Sequence, residues 1–174
     1  MITTDPFTRV ERLLWFVLES HPGFTSRVPP GNRIKLCESE PSAEKAKAQP
    51  QASDLPEVMV VPAGGQGEQS RTSSGEGFEQ LYEIRVSTAY LQSQGNNAAN
   101  ELQRGIGPLK WEIIRAFRHR SDVYASHPFV KRITSIPVVD QYPGNNATRG
   151  PGWESVLTLS VLMYWPHLEL QTWL

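Results

Sequence analysis

The residues able to do chemistry in this chain are few and scattered. Histidines stand at 21, 119, 127 and 167. None has a second histidine or an acid at the i, i+4 spacing that sets two metal ligands on one helix face. His21 closes a helical run and His127 precedes Pro128, positions that suit capping or surface residues. Cys37 is the single cysteine, which rules out a disulfide within the chain and a zinc site built of thiolates. As a nucleophile it would need a base brought to it by the fold, and a lone cysteine is more commonly a small buried apolar residue. The acids of Glu38-Ser39-Glu40 belong to a polar run and form no carboxylate dyad, and no serine sits in a Gly-x-Ser-x-Gly elbow. No catalytic residue, metal ligand or cofactor is therefore assigned. The absence of motifs weighs against an enzyme.

The glycine-rich stretch from Ala63 to Gly77 (AGGQGEQSRTSSGEG) follows a strand and invites comparison with a nucleotide-binding loop. Gly65 and Gly67 would need a third glycine at position 70, where Ser70 stands, and a strand rather than a helix follows. A hairpin loop, or a long hairpin arm projecting from a sheet, is the better reading.

Composition sets the frame. The chain has 174 residues, enough for one domain with a real core. An apolar fraction of 39% beside 13 glycines and 14 prolines predicts an ordered core with long irregular excursions. With 17 basic and 18 acidic residues the formal net charge is −1, so a nucleic-acid footprint would have to be local. Arg9, Glu11, Arg12 and Glu19 interrupt the first twenty residues, and no apolar run reaches the length of a membrane span. The expectation is a soluble protein made in a reducing compartment, with no membrane partner.

The elements that would position any site follow from periodicity. Thr4 and Asp5 before Pro6 cap a helix in which Phe7, Val10, Leu13, Leu14, Val17 and Leu18 share a face to about Ser20, and Pro22-Gly23 ends it. Trp15 and Phe16 widen that apolar surface toward a second layer or another subunit. Asn32 to Cys37 alternates as a short strand, Glu38 to Leu55 is a solvated loop, and Glu57 to Pro62 is a second strand stopped by its proline. From Tyr82 to Tyr90, Ile84, Val86, Thr88 and Tyr90 fall on one side and Glu83, Arg85 and Ser87 on the other, the alternation of a half-buried strand. The period then turns helical: Ala99, Leu102, Ile106, Leu109, Ile113 and Phe117 draw one stripe, kinked or restarted at Pro108. Phe129 to Val139 reads as a strand with Pro137 at an edge or bulge, Gln141 to Gly152 as a loop, and Trp153 to Trp165 as an interior strand antiparallel to its predecessor.

The fold class expected is α+β: one mostly antiparallel sheet with two main helices packed on it, in the order α-β-β-β-α-β-β. It forms a single domain over 1–174 with flexible loops at 38–56, 63–77 and 141–152. Lys110, Arg115, Arg118, His119 and Arg120 make the end of the second helix basic. Cations there suit the helix dipole, and a phosphate-binding patch is the functional alternative. The tail from His167 to Leu174 ends with Trp173, placed to fold back on its own body or to dock on a neighbour.

This order of elements is similar to that of the tail terminator proteins, or tail completion proteins, of long-tailed bacteriophages. Four features carry the resemblance: the amphipathic TDPFTRVERLLWFVLES from Thr4 to Ser20; the turn Gly31-Asn32-Arg33-Ile34 into the first strand; the strand Tyr82 to Tyr90 breaking at QSQGNN into a helix that ends in IIRAFRH; and the closing WESVLTLSVLMYW. The resemblance implies a structural virion protein, located in the tail or neck and in the host cytoplasm during assembly. It would form a homo-hexameric ring on the tail tube, ending tube polymerisation and joining tail to head. The implied partners are further copies of the chain, the tail tube protein and head-completion or neck proteins, with DNA passing the lumen without specific binding. Another neck ring protein, such as a head-closure or head–tail connector protein, or a small nucleic-acid-binding packaging module, are the alternatives. Trp15, Phe16, Arg115, Arg118, Arg120 and Trp173 are the candidate subunit or partner contacts.

Overall fold

The computed structural model describes residues 6–37, 55–63, 70–72, 75–89, 106–118, 120, 130–144 and 152–166. Pro6 opens helix α1 (Pro6–Glu19), where its missing N–H costs nothing. Pro22-Gly23 ends that run but also starts a second, four-residue turn, α2 (Pro22–Thr25), with Pro22 at its first position. A 3-10 turn (Pro30–Asn32) leads into β1 (Arg33–Ile34). Then follow β2 (Glu57–Ala63), β3 (Ser70–Thr72), β4 (Gly75–Ala89), α3 (Ile106–Phe117), β5 (Val130–Gly144) and β6 (Gly152–Pro166). The class is α+β, and the order is the expected one with the short α2, the 3-10 turn and β3 added.

The six strands form one sheet in the order β1-β2-β4-β6-β5, with β3 on a flank of β4. Every pairing is antiparallel except β1 with β2. Because β4 and β5 both run antiparallel to β6, they are parallel to each other. The chain passes between them through α3, a crossover that lays this helix over the sheet, and β6 then fills the gap. The closing strand is interior to the sheet, as its sequence leads one to expect.

The core lies on one face. Val58 and Val60 of β2, Tyr82, Ile84 and Val86 of β4, and Leu157, Leu159, Val161 and Met163 of β6 meet Val10, Leu13, Leu14, Trp15, Val17 and Leu18 of α1. Ile106, Leu109, Ile113, Ala116 and Phe117 complete it from α3. Fully burying a side chain of this size contributes about 1.5–3 kcal/mol, so this layer contact is the main stabilising term. The opposite face carries Glu83, Arg85 and Ser87, as their alternation requires.

Several boundaries differ from expectation. The first strand shortens from Asn32–Cys37 to two residues, because its partner β2 offers parallel pairing only at Val58 and Met59. Pro62 does not stop β2, which continues to Ala63; β1 leaves that part of the strand unpaired on its outer side, where a missing N–H is harmless. The expected loop 63–77 contains β3 and the start of β4, since Gly75 to Phe78 pair with Met163 to Pro166 and override the low strand propensity of glycine. β5 likewise runs through Gln141 to Gly144, opposite Gly152 to Ser155. Pro137 falls where the β5–β6 register shifts between Ile136 and Val139, and β5 is the sheet edge, so both readings of that proline hold. Pro108 sits in the first turn of α3. The caps Thr4 and Asp5, the stripe residues Ala99 and Leu102, Tyr90, the loop 38–54 and the segment 167–174 lie outside the described residues.

Candidate functional site

The helical layer engages its acids internally. Glu11 is 6% exposed, and the N–H of Cys37 donates to its Oε1 at 3.0 Å. Burial raises its carboxyl above the ordinary range, and the hydrogen bond from Cys37 opposes the rise. Glu19 lies 3.2 Å from Arg33 and 3.0 Å from Lys35, which hold the end of α1 to the β1 segment. Arg33 also donates to the carbonyl of Val28, at 3.1 Å through Nε and 2.8 Å through Nη2. Glu112 of α3 meets His21, with Oε2 and Nε2 2.7 Å apart. This hydrogen bond is the chief cause that holds the Glu112 carboxyl below its ordinary range. A Cβ on Gly23 would collide with the same Oε2, so the glycine keeps room for the His21–Glu112 contact.

With Glu11, Glu19 and Glu112 so placed, the exposed charges of the described helices and turns are Arg12, Arg27, Arg115 and Arg118. All are positive. Arg115 reaches Glu112 only at 3.4 Å. Arg118 lies over the ring of Trp111, 5.4 Å from its centroid, an attraction of about 0.5–1 kcal/mol at an exposed site. Trp111 is 50% exposed and Phe16 56%. Trp111, Arg115 and Arg118 are spaced i, i+4, i+7 and form one outward stripe on α3, as Arg12 and Phe16 do on α1. Arg120 donates to Ser20 Oγ at 3.0 Å and ties the end of α3 to the end of α1, and both helices pack on the same core.

Of the contact residues expected from sequence, Phe16, Arg115 and Arg118 lie on this surface, and Arg120 braces it. Trp15 does not: at 1% exposure it packs in the chain's own core, its ring centroid 6.5 Å from that of Phe24 and 5.8 Å from the Lys35 ammonium above it. Of the two readings of Trp15, second layer or another subunit, the structure places it in the chain's own core, against Phe24 of α2. Trp173 and His119 lie outside the described residues. Sequence reasoning missed Trp111, although its i+7 spacing to Arg118 was visible. It also missed the His21–Glu112 pair, which joins residues 91 apart and left no local signal.

Chemically the arrangement offers a binding face. Among the described residues no group of three or more His, Cys, Asp or Glu side chains could hold a metal ion, and no helix is long and apolar enough to cross a membrane. Cys37 is half-buried and packs against the core, the ordinary state for a lone cysteine. No protein-family model and no curated protein sequence matches the chain.

Proposed function

We propose that this chain is a structural component of a tailed-bacteriophage virion, of tail-terminator type, which assembles as a ring at the head-proximal end of the tail tube. The observation that carries the reading is the order and layering of elements: an amphipathic helix, a turn into a short strand, a long strand, a crossover helix and an interior closing strand, with both main helices on one side of the sheet. A wedge with two unlike outward faces suits the subunit of a closed ring, which needs complementary sides and little chemistry. The ring would stop tube growth and present a docking surface to head-completion proteins, while DNA crosses the lumen without base-specific contacts. Another neck ring protein of the same particle fits the same architecture. A small nucleic-acid-binding module is a second reading, favoured by the four outward arginines.

Native mass spectrometry and negative-stain imaging test the reading. The expected result is a ring with a mass near six times the 19.5 kDa chain, alone or on added tail tubes. A protein that stays monomeric and never caps tubes would sink it. DNA binding that weakens steeply with salt and is lost on replacing Arg115 and Arg118 would move the assignment to the second reading.

A further inference from the structure

We propose that the outward face of the helical layer docks on the sheet face turned away from the described helices in a second copy of this chain, giving a head-to-tail contact between unlike surfaces. The assignment deepens the ring reading and rests on it only for the number of copies.

The helix face combines Phe16 and Trp111, both half-exposed or more, with Arg12, Arg27, Arg115 and Arg118. Aromatic residues and arginine are the types enriched in protein interfaces and among the side chains that carry binding energy. Two such faces cannot meet each other. A self-complementary contact would press four arginines against four more, with Glu11, Glu19 and Glu112 already turned to internal partners. The occupant must therefore bring acids and apolar area on a different surface.

The sheet supplies that surface. On the side away from the helices, Glu79 and Glu83 point outward with Leu81 between them, and the register sets Leu162 opposite Glu79 and Thr158 opposite Glu83. Val61 continues the row beside Glu83. These residues are half-buried, and none of α1, α2 or α3 covers them. Glu79 accepts a hydrogen bond from Ser160, and Glu83 stands 2.8 Å from Arg85, so both carboxylates are held in place while Arg85 remains exposed beside them. An apolar row bracketed by two fixed acids matches two aromatic rings bracketed by arginines. A contact between unlike faces repeats from copy to copy, so it closes into a ring when the rotation allows and otherwise grows as a filament.

The test uses the full chain and two charge-reversed variants, R115E/R118E on the helix face and E79K/E83K on the sheet face. Native mass and sedimentation should show each variant alone as a monomer, with its assembly midpoint raised at least about a hundredfold. An equimolar mixture should assemble again, because the two intact faces fit each other and the two reversed faces, glutamates against lysines, are once more opposite in charge. Melting curves check folding, and Phe16→Glu with Thr158→Lys repeats the design at side chains outside the internal ion pairs. Variants that still assemble like the parent chain overturn the interface and leave the ring standing. A parent chain that is monomeric at every concentration overturns the ring and this contact together. Loss of DNA binding in R115E/R118E, with assembly unchanged, would assign the helix face to a polyanion instead.

Discussion

Glu11 is the residue whose chemistry and surroundings conflict most. A carboxylate on the buried side of α1 gives up water for the backbone donors of Cys37 and Leu36, and burial lifts its pKa above the ordinary glutamate range of about 4.3 in spite of them. The raised value means that the folded state binds the proton more tightly than the unfolded chain. Stability from this group is therefore fully present below about pH 4.3 and declines as pH rises through the folded value. Glu11→Gln keeps an oxygen to accept the Cys37 N–H and removes the titration. Urea unfolding at several pH values should show the parent losing stability relative to the variant between acid and neutral pH; parallel curves would refute the account. Glu112 has the opposite sign: its contact with His21 contributes above the ordinary glutamate range and is lost as pH falls through the depressed value. Neither effect is legible in sequence, because each depends on a partner far along the chain.

Helix α1 shows what periodicity tells and where it stops. The expected stripe is buried from Val10 to Leu18, but its first member, Phe7, is 49% exposed, and neighbours Trp15 and Phe16 go opposite ways. An amphipathic pattern gives the direction of the core but not the width of the buried arc, which is set by what packs on the flank. Here Phe24 of α2 widens it to include Trp15. Trp15→Ala should cost about 3–5 kcal/mol of folding stability, as large core truncations do, while Phe16→Ser should change it by no more than about 0.5 kcal/mol. Denaturant melts of the two variants decide the matter, and equal effects would contradict the placement. Strand type and pairing were likewise readable in β4 and β6. Their lengths were not, since glycines and prolines near the ends of β4, β5 and β6 are held by ladder bonds to other strands. The helix-face stripe of Trp111, Arg115 and Arg118 was half legible: the arginines were visible as a basic face, but the exposed tryptophan under Arg118 was read as neither core nor contact.

At the scale of the whole molecule, the two ends of the sheet are built alike. On one side β1 pairs with only two residues of β2, and among the described strands none pairs with the outer side of the stretch that holds Pro62. On the other, β5 carries Pro137 at a register shift and Pro143 near its end. Each proline removes a donor that an incoming strand would need, and the irregular register bends the edge out of line. Pro137→Val should leave the melting temperature within a few degrees of the parent, since an edge proline carries no ladder donor to lose. Light scattering of a concentrated, warmed solution should nevertheless rise sooner in the variant; identical curves would dismiss the idea. A protein made in many copies and held at high local concentration faces a standing risk of amyloid-like strand addition. Under the proposed ring, blunting both described borders of the sheet against stray strands would leave crowded copies free to meet by their faces, which can be chosen and regulated, rather than by their backbones, which cannot.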